Sequence, residues 1–62
     1  MPNVYARTLR RAAELVGGVK PLAIRLGVSE EDLTHWIQGD KAVPAPIFLR
    51  AVDVIEQEEG QK

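Results

Sequence analysis

Apolar residues recur along the chain at helical spacing, and glycines and prolines divide them into four runs. In the first run, Val4 to Val16, a turn of about 100° per residue gathers Val4, Tyr5, Leu9, Ala12, Leu15 and Val16 into an arc of about 140°. Arg7, Arg10, Arg11 and Glu14 fall opposite. Asn3 is suited to cap the start of this helix. Gly17-Gly18 is suited to end it, because glycine enters the left-handed region without steric cost. The second run is short. Pro21 fits its first turn, where a missing N–H does no harm; Leu22, Ala23 and Leu26 share a face, and Gly27 closes it. The third helix begins at Ser29, which has capping-box spacing to Asp32, with Asp in place of the usual Glu or Gln. Glu30, Glu31 and Asp32 place carboxylates at the positive end of its dipole. Leu33, Trp36 and Ile37 form its apolar side, and Gly39 is the stop.

After a loop from Asp40 to Pro44, the fourth helix is predicted from about Ala45-Pro46 to about Glu58. Its apolar face is Ile47, Phe48, Ala51, Val52, Val54 and Ile55. No segment sustains the period-2 alternation of a half-buried strand. The expected fold is therefore all-α, a compact four-helix domain over 1–58, with 59–62 as a frayed C-terminal tail.

Length and composition narrow the classes. A chain of 62 residues holds one domain, and a domain of this size buries only about 60% of its unfolded surface. The absence of cysteine excludes disulfide staples, thiolate metal sites and cysteine nucleophiles. With 45% apolar and 27% charged residues the balance is that of a globular protein. No apolar run reaches the roughly 20 residues needed to span a bilayer, and the start lacks a signal-peptide core; a cytoplasmic protein with no membrane contact is expected. Up to Val28 there are five bases (Arg7, Arg10, Arg11, Lys20, Arg25) and one acid (Glu14); from Ser29 there are three bases and eight acids. A pI near 5.7 argues against a protein that coats nucleic acid non-specifically, while the asymmetry permits a basic and an acidic face on one small body.

The informative stretch runs from Val19 to Gln38. Two short helices meet at the connection Gly27-Val28-Ser29. Ala23, four residues before the glycine, is small where a larger side chain would push the pair apart. Leu22, Leu26, Val28, Leu33 and Trp36 supply the pegs between the helices. This set, with the run Leu26-Gly27-Val28-Ser29 followed by Leu33, Trp36 and Gly39, resembles the helix-turn-helix of the phage repressor and Cro-like (lambda-repressor-like) superfamily. The likeness is strong over about twenty residues, and the four-helix frame extends it across most of the chain. It implies a small bacterial or phage transcriptional regulator that binds double-stranded DNA, places the helix after Ser29 in the major groove, and works as a homodimer to gain affinity.

Helical geometry identifies the side chains that would read. With Glu31 at zero, His35 lies at about 40°, Gln38 at about 340° and Thr34 at about 300°, all away from Leu33 at about 200°. Ser29 and Glu30 stand at the leading end. Thr, Gln and His can each meet base edges, and Glu can accept from cytosine N4. Lys20, at the start of the second helix, is placed for a backbone phosphate. The expected DNA-binding set is thus Lys20, Ser29, Glu30, Glu31, Thr34, His35 and Gln38. Three carboxylates at the head of a reading helix depart from the family pattern, however, because they repel phosphates, and no arginine on that face can clamp guanine. The alternative is a protein-interaction module on the same scaffold, with a protein partner at the acidic helix end and the arginine face.

Other chemistries fit poorly. Ser29 and His35 are separated by about 9 Å of helix, too far for a hydrolase triad with Asp32. Glu31 and His35 could hold a metal at i and i+4, but no third ligand accompanies them. Gly17-Gly18 lacks the strand and the Lys-Ser/Thr of a phosphate loop. No enzyme activity, metal or cofactor is expected, and nothing in the sequence indicates an effector pocket. Trp36 shares the face of Leu33 and is expected in the core. Ile24 and Leu49 fall off the apolar faces of their helices and are expected on the surface.

Overall fold

The computed structural model describes residues 4–60. Four helices follow one another, α1 (Val4–Val16), α2 (Val19–Leu26), α3 (Glu30–Gln38) and α4 (Ala45–Glu59), with no strand among the described residues. The chain is an all-α four-helix domain, as its periodicity predicts. Asn3, the expected cap of α1, lies outside the described residues, as do positions 61 and 62 of the expected tail. Glu59 is the last residue of α4, and its carboxylate takes a hydrogen bond from Arg11.

α1 is the centre of the domain and packs on α2, α3 and α4. α4 rests on α1 and α2, and its backbone makes no close approach to α3. Leu9 of α1, Leu22 and Leu26 of α2, and Leu33 of α3 are fully buried, joined by Ala12, Ala13, Ala23, Trp36, Ala51 and Val54. Removing such leucines from water is worth roughly 1.5–3 kcal/mol each, and no polar residue is buried among them to offset the gain.

The buried face of α1 differs from the predicted arc. Val4 and Tyr5 are largely exposed, Leu15 is half-buried, and Ala6 and Ala13 are buried instead. The face is rotated by about 70° and centres on Leu9 and Ala13. Because α1 serves three neighbours at once, its small residues mark where other helices approach closely, which an apolarity count underweights. Tyr5 is displaced to the rim, where its ring meets Phe48 of α4 edge-on at 4.6 Å between centroids.

Two turns set the middle of the fold. α1 ends where the N–H groups of Gly17 and Gly18 both donate to the Ala13 carbonyl, at 3.0 and 2.7 Å. α2 ends at Gly27, whose φ of 73° is left-handed; the N–H of Val28 then donates to Ala23 O at 3.0 Å. This closes the tight connection to α3 and directs Val28 into the core margin. Ala23 is 5% exposed, as the close α2–α3 approach requires. Trp36 is in the core, and Ile24 and Leu49 are exposed, each as expected.

Candidate nucleic-acid interface

α3 begins with the predicted cap: Ser29 is extended at φ −74° and ψ 149°, and its Oγ accepts from Asp32 N at 3.1 Å. Leu33 and Trp36 anchor the helix inward. Of the seven expected site residues, Lys20, Ser29, Glu30, Glu31, Thr34 and Gln38 are exposed and His35 is half-buried. Six of them therefore share the outer side and leading end of one helix. Lys20 stands apart, in the first turn of α2, and no bond among the described residues ties it to α3. α2 has no side-chain cap at its start, where Gly18 stands; Pro21 carries no N–H and Leu22 N donates to the Gly18 carbonyl at 3.3 Å, so the Lys20 ammonium is the main donor at this end.

The side chains on α3 are not equally free. Thr34 Oγ1 donates to the Glu30 carbonyl at 2.9 Å, which leaves its oxygen as an acceptor. His35 Nδ1 lies 3.3 Å from Asp40 Oδ2, so its ring is held toward the loop after the helix. Glu30, Glu31 and Gln38 make no side-chain bond among the described residues.

Charge pairing was the part hidden in the sequence. Asp32, one of the three leading carboxylates, faces Lys41 Nζ at 3.8 Å. The αL turn at Gly39 folds the chain back so that Asp40 meets His35 and Lys41 meets Asp32. The signal was the pair Asp40-Lys41 directly after Gly39, but its register on α3 depends on the three-dimensional turn. Lys41 thus stands beside α3 and extends the candidate surface with a cation. Elsewhere Arg11 pairs with Glu59 at 2.7 Å, and Arg25 with Glu58 and Gln57 at 3.3 Å. The acidic end of α4 therefore neutralises two of the bases in the first half of the chain. Among the described residues Arg7, Arg10 and Lys20 form no ion pair.

Among the described residues no three His, Asp or Glu side chains gather as a metal site. Nor is any helix there long and apolar enough to cross a membrane. Ser29 Oγ is taken by a backbone N–H, and His35 turns to Asp40 and away from Ser29. No protein-family model, no curated protein and no solved structure matches the chain significantly.

Proposed function

We propose that the chain is a DNA-binding module of the helix-turn-helix type acting in transcriptional regulation, with α3 as its reading helix. The observation that carries this reading is the α2–turn–α3 unit. Its turn is fixed by Gly27 and the Ser29 cap, it is pegged by Leu22, Leu26, Leu33 and Trp36, and it leaves the polar side of α3 open to solvent. In this reading Gln38 and Thr34 meet base edges and Glu31 accepts from a cytosine amino group. Lys20 takes a phosphate, and Ser29 and Glu30 lie nearest the backbone. His35 contributes only if its contact to Asp40 gives way. A single module of this size offers little surface, so a homodimer on paired half-sites supplies the affinity.

One observation favours a second reading, a protein-interaction module. Glu30 and Glu31 are exposed at the head of α3 and form no ion pair among the described residues. A basic protein partner would use them directly, whereas DNA phosphates would be repelled.

The two readings separate on these acids. If DNA is the ligand, Glu30→Gln tightens binding to every sequence and slightly steepens the salt dependence, because one repulsive charge is gone. Glu31→Gln tightens random duplex but relaxes discrimination at one base pair, by about 1–3 kcal/mol. If a basic protein is the ligand, both changes weaken that complex and duplex affinity stays unmeasurable. A fluorescence titration of both variants against a random duplex pool distinguishes the cases.

A further inference from the structure

α1 and α4 leave a shallow open groove between them, lined by Val4, Arg7, Thr8, Arg11 and Ile55. Arg7 and Arg11 are four residues apart and so lie on one side of α1, about one turn from each other. Val4 is 61% exposed and Ile55 half-buried, so the groove carries aliphatic surface beside its two guanidinium groups. Thr8 donates its hydroxyl to the Val4 carbonyl at 2.8 Å, so it has no proton to offer an incoming carboxylate. The polar handles for a ligand are therefore the arginines.

One of them is already in use. Arg11 Nη2 holds Glu59 Oε2 at 2.7 Å across the α1–α4 boundary. Here a carboxylate carried on a neighbouring helix meets a guanidinium on the edge of this groove. Arg7, the equivalent group one turn earlier, is exposed and forms no ion pair among the described residues. We infer that the α1–α4 groove docks an acidic peptide segment of a partner protein, with a carboxylate on Arg7 and an adjoining aliphatic side chain on Val4 and Ile55. A nucleic-acid backbone fits less well. It has no aliphatic side chain to lay on Val4 and Ile55. The inference does not depend on what α3 binds.

The test uses the whole chain and a fluorescein-labelled peptide with glutamates and leucines at helical spacing, followed by anisotropy at low salt. The expected result is saturable binding that Arg7→Glu weakens about five- to tenfold, as charge reversal at an exposed ion pair does. Glu59→Gln releases Arg11 and tightens the complex about two- to fivefold. Arg10→Glu, outside the groove, changes it less than about twofold, and a probe with serines replacing the leucines binds much more weakly. All three substituted residues are exposed, and circular dichroism verifies that the variants fold. Equal damage from Arg10→Glu and Arg7→Glu, or equal binding of the serine probe, overturns the proposal. So does duplex DNA that competes with the peptide through Arg7, which makes nucleic acid the occupant. A dimer that dissociates on Arg7→Glu in sedimentation also overturns it, by assigning the groove to a second copy.

Discussion

Arg50 of α4 donates a hydrogen bond from Nη1 to the carbonyl of Leu26, the last residue of α2, at 3.1 Å. The backbone of α4 approaches α1 and α2 closely but not α3. The Arg50 bond fastens it directly to the end of α2, where the turn into α3 begins. It also supplies a charged donor to one of the carbonyls that a helix C-terminus leaves unpaired. Arg50→Ala is expected to cost about 1–2 kcal/mol, the worth of a partly buried hydrogen bond to a charged group. Urea unfolding measures this as a lower midpoint at unchanged slope. A midpoint equal to that of wild type contradicts the role.

Gly27 separates two kinds of cost. Its φ is 73°, and a Cβ placed there would meet only Arg50 Nη1, at 3.8 Å, an ordinary contact. Gly27→Ala therefore destabilises through backbone conformation alone, by about 1–2 kcal/mol. Gly27→Asn should recover part of that loss, because asparagine tolerates the left-handed region better than alanine does. If alanine and asparagine cost the same in thermal unfolding, conformation is not what fixes this residue.

Ala23 is the tightest test of the α2–α3 pair. Ala23→Glu places a carboxylate at a buried contact where no polar residue is buried to receive it. The cost is several kcal/mol, enough to unfold a domain of this size. A melt near the wild-type temperature would show that the two helices do not pack closely there.

Ser29→Ala removes the hydrogen bond to Asp32 N and should lower stability by about 1 kcal/mol. It should also speed amide exchange in the first turn of α3, at Glu31 and Asp32, before it affects Leu33. Uniform exchange changes along the whole helix would indicate global destabilisation and no specific cap.

The helices were legible because local chemistry and packing agree. Ser29, Gly27 and Gly39 cap the elements they appear to cap, and Leu22, Leu26, Leu33 and Trp36 occupy the core that their spacing predicts. The exposed side of α3 was legible for the same reason. The rotation of α1 was not, since Val4 and Tyr5 are as apolar as Ala6 and Ala13 and only the number of packing neighbours distinguishes them. The ion pairs were equally hidden. Arg11 and Glu59 are joined only by the α1–α4 packing, and Asp32 meets Lys41 only because the Gly39 turn reverses the chain.

Amide chemical-shift mapping of the ¹⁵N-labelled chain with a random duplex pool at low salt tests the central claim most directly. The account predicts that the perturbations centre on Lys20 and on the run from Ser29 to Gln38, extend to Lys41, and fade as salt is raised. Shifts confined to Arg7, Arg10 and Arg11, reproduced by any polyanion, would contradict α3 as the reading helix. No perturbation at all at low salt would end the DNA-binding reading of this domain.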